Sequence, residues 1–207
     1  MKEAPLKEYD RWETRFAEPG YLFGTEPNAF LAGQKGLLPK SGRALAVADG
    51  EGRNGVWLAQ QGLDVVSLDF SPAAQAKARA LAASRGVTIE TVLADALDWS
   101  WPAEQFDVIA VIFTQFADPP ERERMFAGIR SALRPGGLLL IEGYGPKQLQ
   151  YGTGGPSKLE NLYTRELLEG AFGDFVDVRI TEYETEMSEG SRHTGMSALI
   201  DFTGRKK

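Results

Sequence analysis

Five short apolar runs recur between residues 44 and 143, and their alternation with helical stretches limits the fold more than any other feature. They are ALAV (44–47), DVVSLDF (64–70), VTIETVLAD (87–95), FDVIAVIF (106–113) and LLLIEG (138–143). Runs this short, apolar on both faces, read as buried strands of a parallel sheet. The stretches between them carry helix punctuation. RNGVWLAQQG closes on Gly62. AAQAKARALAASRG has Ser71 as N-cap, Pro72 at the first helical position and Gly86 at its far end. Asp118-Pro119 opens a helix in which Met125, Ile129, Ala132 and Leu133 recur at helical spacing, and Pro135-Gly136-Gly137 breaks it. The pattern predicts an α/β, doubly wound fold.

The flanks follow other patterns. Residues 7–17 read as an amphipathic helix with Tyr9, Trp12 and Phe16 on one face, stopped by Pro19-Gly20. YLFGTEPNAFL starts as an aromatic loop, and Pro27 suits the first turn of a second short helix whose Phe30 and Leu31 face inward. After residue 143 comes a glycine-rich loop to residue 158, then a helix near 164–171. VDVRITEYETEM and TGMSALIDFTG are joined by SEGSRH as a hairpin, so one of the last two strands is antiparallel. A chain of 207 residues without a clear linker reads as a single domain, 1–207, in three parts: 1–40, 41–142 and 143–207.

Composition narrows the chemistry. The net charge is −6, from 23 basic and 29 acidic residues, with no long basic run, so no nucleic-acid partner is expected. Absence of cysteine removes disulfides and thiol nucleophiles, and a single histidine, His193, leaves no metal site to expect. The charged N-terminal stretch lacks an apolar signal core, and runs such as LLLI are too short to span a bilayer. The expectation is a cytoplasmic protein without a membrane partner, a monomer or weak homodimer.

Between the first strand and first internal helix lies ADGEGRNG (48–55), with Gly50, Gly52 and Gly55 at the spacing of a nucleotide-binding loop. Asp49 and Glu51 lie in the same loop. A pyrophosphate there faces like charges, which at 4 Å cost roughly 4 kcal/mol at an effective dielectric of 20. S-adenosylmethionine suits the loop better. It has no phosphate; acids accept from its ammonium, and the helix N-terminus with Arg53 takes its carboxylate. Asp69 ends the second strand, where an acid grips ribose hydroxyls in doubly wound folds. Asp95 ends the third, placed to accept from an adenine amine or simply to form a turn.

These residues resemble the class I S-adenosylmethionine-dependent methyltransferases over nearly the whole chain. The resemblance rests on AVADGEGRNGVWLA, Asp69, Ala94-Asp95-Ala96, FDVIAVIF and LRPGGLLLIEG. YLFGTEPNAFL looks like the cap of the tellurite-resistance (TehB-like) group, which lies over the cofactor. Two positions depart: Ala46 stands where the family usually has a strand acid, and Ala48 replaces the first loop glycine. The resemblance implies a Rossmann-like seven-stranded sheet in order 3-2-1-4-5-7-6 with strand seven antiparallel. It also implies methyl transfer from S-adenosyl-L-methionine to a small-molecule acceptor of the thiol, oxyanion or metalloid class.

Ligands in such sheets bind beyond the carboxyl ends of the strands. That rim holds Asp49, Gly50, Gly52, Arg53, Asp69, Phe70, Asp95, Ala96, Ile112 and Phe113 for the cofactor. Tyr21, Phe23 and Gly24 close from the cap, where aromatic faces suit a sulfonium. Candidate bases at the acceptor are Tyr144, Glu142, Tyr151 and His193, His193 being read in a polar turn. The 143–158 loop is a candidate lid. Two alternatives remain: a non-enzymatic protein that binds or senses S-adenosylmethionine, and an NAD(P)-binding oxidoreductase supported only by the glycine spacing.

Overall fold

The computed structural model describes residues 4–190 and 193–207. The strands are β1 (Arg43–Val47), β2 (Asp64–Asp69), β3 (Glu90–Leu93), β4 (Phe106–Ile112), β5 (Leu133–Tyr144), β6 (Val176–Glu189) and β7 (His193–Arg205). Among the described residues they form one sheet in the order β3-β2-β1-β4-β5-β7-β6. The first five strands run parallel to one another. β7 runs antiparallel to both β5 and β6. The expected order and the antiparallel seventh strand are both present.

The helices are α1 (Ala4–Ala17), α2 (Ala29–Gly33), α3 (Arg53–Gln60), α4 (Pro72–Ser84), α5 (Pro119–Ala132), α6 (Gln148–Tyr151) and α7 (Arg165–Phe172). Their ends follow local chemistry. Ser71 caps α4 by accepting from Ala74 N, with Pro72 at the first position. Asp118 and Glu121 form a capping box at α5. The two faces of the sheet carry separate cores. Leu45, Ile109, Met125, Ile129, Phe172 and Phe202 pack on the α5 and α7 side. Phe30, Leu31, Leu58, Val65 and Leu140 pack on the α2 and α3 side. Burial on both faces is why the strands lack alternation.

Three expectations shift. β3 is confined to Glu90–Leu93, shorter than 87–95. Pro135-Gly136-Gly137 does not separate α5 from β5 but forms an irregularity within the strand: Phe106 pairs with Leu133 and Val108 already with Leu138. The final hairpin is longer than its apolar residues suggested, with Glu189 opposite His193. Residues 191 and 192 of the expected SEGSRH turn lie outside the described residues, as do 1–3 of the N-terminal stretch. The expected 143–158 loop is partly ordered by α6, whose Gln148 side chain accepts from Ala198 N on β7.

Candidate functional site

The two loop acids have structural roles. Asp49 turns its carboxylate inward, accepting from Ser67 Oγ at 2.7 Å and from Gly55 N at 3.1 Å. A side chain on Gly55 would collide with it, since a Cβ there would lie 2.4 Å from the carboxylate. Asp49 thus caps the first turn of α3 from below, and burial pushes its carboxyl up to about 7. The expected ammonium contact is corrected: the carboxylate faces β2, away from the rim. Glu51 accepts from Leu22 N at 2.6 Å and Lys77 Nζ at 2.7 Å, pinning the cap segment and α4 to the loop. Gly52 is left-handed (φ 87°) and leaves no room for a Cβ beside Ala78 of α4. Ala48 adopts φ 49°, a conformation costly for alanine, where the family pattern has glycine.

Asp69, Phe70, Asp95, Ala96, Ile112 and Phe113 lie at or just past the carboxyl ends of β2, β3 and β4. Asp69 ends β2 with one oxygen accepting from Gly50 N at 2.8 Å and the other from Ser71 N at 2.9 Å. These bonds hold the carboxylate at the strand end, while burial raises its pKa to about 6. A carboxylate has about four acceptor positions, so with these backbone donors, Phe70 N–H included, it keeps capacity for a hydroxyl donor. Phe70 stands beside it, met edge-on by Tyr9 of α1 at 5.5 Å. Asp95 is exposed and accepts from Leu97 N at 2.9 Å, a turn bond that leaves its second oxygen toward solvent. Ala96 is buried beneath it. Ile112 ends β4, and Phe113 follows in a left-handed conformation (φ 55°), a strain that large side chains adopt rarely.

The N-terminal cap sits directly on this rim. Phe16 lies over Gly50, and Glu13 hydrogen-bonds Ser71 Oγ at the start of α4. Tyr21 does not face the sulfonium position expected for it. Its hydroxyl reaches Lys77 O at 3.3 Å and its ring packs with Val56 and Leu81 on the outer side of α4. Phe23 does turn inward, 4.5 Å from the His193 ring. Gly24 closes the turn from Tyr21 and lies beside Gly190 at the hairpin tip.

The acceptor candidates separate clearly. His193 is the first residue of β7 rather than part of an exposed turn. Its side chain is 12% exposed, with Phe23 at 4.5 Å, Phe113 at 4.4 Å and Tyr144 at 6.1 Å between ring centres. Burial and Arg53 hold its pKa below the ordinary value, with Glu189 opposing them, so the imidazole is neutral at neutral pH. Tyr144 is 3% exposed and stacks at a tilt on Phe113 at 4.8 Å. Burial and Glu142 push its phenol upward, which makes it a wall and a poor base. Glu142 is also corrected. It is 2% exposed, takes hydrogen bonds from Asn28 Nδ2 and Tyr183 Oη, and lies opposite Asp201. Burial and the neighbouring Asp201 push its carboxyl well above the ordinary range, and its bonds to Asn28 and Tyr183 make it a bracing group. Tyr151 lies near the surface, its hydroxyl bonded to Glu184 and its ring beside Lys147.

Four residues matter that the sequence did not single out. Asn28 caps α2 through Leu31 N and also reaches Glu142 and Glu189. Asn54 accepts from Asn28 N at 3.0 Å, tying the cap to α3. Gln115 bonds the backbone of Tyr144 from both ends of its amide. Glu189 holds Arg53 at 2.7 Å. Asn28, Asn54 and Glu189 stood inside the quoted cap, glycine-loop and turn segments without a role, and Gln115 carries no local pattern.

The sheet order, the glycine loop ending β1 and the acid ending β2 together define the Rossmann-like methyltransferase fold. The donor set suits S-adenosylmethionine: Asp69 for ribose, Arg53 for a carboxylate, and Phe70 and Phe113 as apolar walls. Residues 44–137 match the family model of the methyltransferase domain. Demethylmenaquinone methyltransferase of Thermus thermophilus is 32% identical over 106 residues, covering 50% of this chain and 48% of that one. Glycine/sarcosine N-methyltransferase of Halorhodospira halochloris is 31% identical over 140 residues, covering 63% of this chain and 47% of that one. The matches thus span about half the length of these relatives. The structure of TehB from Haemophilus influenzae superposes with a TM-score of 0.70 at 16% identity, over 97% of this chain and 67% of that one. Among the described residues no helix is long and apolar enough to cross a membrane.

Proposed function

We propose that the chain is an S-adenosylmethionine-dependent methyltransferase acting on a small-molecule acceptor. The observation that carries this reading is the Asp69 carboxylate, clamped between Gly50 N and Ser71 N at the end of β2. It stands in a chain whose residues 44–137 match a methyltransferase domain. When bound, the cofactor supplies an electrophilic methyl carbon, so the protein's tasks are positioning and exclusion of water. Asp69 binds the ribose hydroxyls, Arg53 the carboxylate, and Phe70 and Ala96 flank the adenine. Phe23, Phe113 and Tyr144 wall the acceptor and keep it dry.

His193 is the base. Its neutral imidazole takes a proton from an acceptor that must lose one. Of the thiol, oxyanion and metalloid classes, the thiol fits these walls best. An oxyanion or metalloid anion needs a counter-charge, and Arg53 beside the rings is committed both to Glu189 and to the cofactor carboxylate. An amine is the second reading, favoured by the similarity to a relative named for nitrogen methylation. The tellurite-resistance subgroup is proposed on the cap motif and the TehB superposition. The test is a panel of thiols, amines and oxyanions incubated with S-adenosylmethionine, read as S-adenosylhomocysteine formed. Turnover with a thiol or amine supports the reading. Turnover with oxyanions alone overturns the acceptor assignment, and none at all moves the non-enzymatic binding protein to first place.

A further inference from the structure

The charged residue at the hairpin tip, Glu189, meets three separate parts of the site. Its carboxylate accepts from Arg53 Nη2 at 2.7 Å, at the first turn of α3. It accepts from Ala29 N at 3.0 Å and Asn28 Nδ2 at 3.3 Å, where α2 begins. It also lies 3.7 Å from His193 Nδ1, its cross-strand partner. The group is only 14% exposed, in a strand whose other acids, Asp177, Glu182, Glu184 and Glu186, face solvent. Close packing fixes its place: a side chain on Gly190 would meet the backbone of Leu22 and Phe23 at 2.5 Å, so the tip is seated on the cap.

We propose that Glu189 is a positioning residue that joins the cofactor end of the site to the base, holding Arg53 with one face of its carboxylate and orienting His193 with the other. This rests on the reading of His193 as the base. Arg53 has five N–H donors and spends one on Phe23 O and one on Glu189, so it can keep Glu189 while receiving a ligand carboxylate. The carboxylate selects the Nδ1–H tautomer of His193, because only a donor nitrogen is stable beside it. Nε2 is then the acceptor, ready for a proton. The 3.7 Å gap is longer than a hydrogen bond and leaves Nδ1 buried without another partner, so orienting the imidazole requires this contact to shorten in the working enzyme.

Besides burial, the groups that set the protonation of His193 are Glu189 on β6 and Arg53 on α3. The phenol of Tyr144 on β5 is the other titratable group ringed against it, with Glu142 of β5 behind, and Phe23 and Phe113 complete its surroundings without charge. Glu189 raises the pKa of His193, whereas burial and Arg53 lower it. Removing only the Glu189 charge therefore drives the histidine midpoint down.

The chain has one histidine, so its imidazole gives a single set of nuclear magnetic resonance signals. The titration is run on the wild type, Glu189→Gln and Glu189→Asp, with calorimetry of S-adenosylhomocysteine and pH–rate profiles alongside. In Glu189→Gln the midpoint falls by about one pH unit and the tautomer mixture shifts toward Nε2–H. kcat falls about tenfold or more, and its acidic limb moves with the midpoint. Affinity for S-adenosylhomocysteine stays within about threefold, since the amide oxygen still accepts from Arg53. Glu189→Asp recovers part of the midpoint, tautomer and rate. A folded Glu189→Gln protein with an unmoved midpoint overturns the proposal, as does an equal loss of cofactor affinity and kcat. If Glu189→Gln does not fold, the Asp variant decides: an unchanged midpoint and tautomer overturn it. If no acceptor reacts with the wild type, the base assignment fails, while the titration still decides whether Glu189 orients His193.

Discussion

Asp49 offers a quantitative test of the loop's physics. Its carboxyl titrates near 7 in the fold, chiefly because burial disfavours the charge, against 3.8 ordinarily. The stability tied to its protonation is therefore complete below about pH 4 and is lost as the pH rises through 7. By pH 8.5 the ionised group costs the folded state about 4 kcal/mol at most, and roughly half of that after local relaxation. Asparagine removes the charge and keeps the shape. Its oxygen accepts from Gly55 N and its amide donates to Ser67 Oγ, so the two bonds seen for Asp49 both have replacements. Urea unfolding at pH 5, 7 and 8.5 is the assay. The advantage of Asp49→Asn over the wild type should be smallest at pH 5, below about 1 kcal/mol, and grow to about 2 kcal/mol at pH 8.5. A difference that does not change with pH would refute the inward, desolvated carboxylate. So would a variant that is uniformly weaker.

Other expectations follow from the same geometry. Ala48→Gly relieves the left-handed alanine at φ 49° and should stabilise the fold by about 0.5–1 kcal/mol in the same urea assay. His193→Gln should lower kcat by about 100-fold or more and abolish the acidic limb of the pH–rate profile, with S-adenosylhomocysteine affinity nearly unchanged. Tyr144→Phe keeps the ring against Phe113 and should leave turnover within about threefold; a large loss would restore the phenol as an acid or base. Removing residues 1–17 takes Phe16 and Glu13 off Gly50 and Ser71, and stopped-flow fluorescence should then show faster release of S-adenosylhomocysteine.

What the sequence discloses here depends on the range of the interaction. The strands and the helix caps are local or follow from unbroken apolar runs, and Ser71-Pro72 and Asp118-Pro119 state their caps outright, whereas the sheet order came from the family resemblance. Asp69 was legible because its place at the end of a strand fixes its direction. Asp49 was not, because one residue's turn decides whether a carboxylate faces solvent or Ser67. Tyr21 and Phe23 differ by two positions in one aromatic loop, yet one packs on α4 and the other on His193. Glu189 lies 136 residues from Arg53 in a strand rich in acids, and only the hairpin register selects it.

The central claim is that the Asp69 cradle binds the sulfur cofactor. Calorimetric titration of wild-type protein and Asp69→Ala with S-adenosylhomocysteine, S-adenosylmethionine and NADH, after removal of copurified ligand, tests it most directly. Binding of both sulfur ligands near micromolar affinity is expected, with none for NADH and a loss of about tenfold or more in the folded variant. Binding of NADH instead, or unchanged affinity in Asp69→Ala, would contradict the claim.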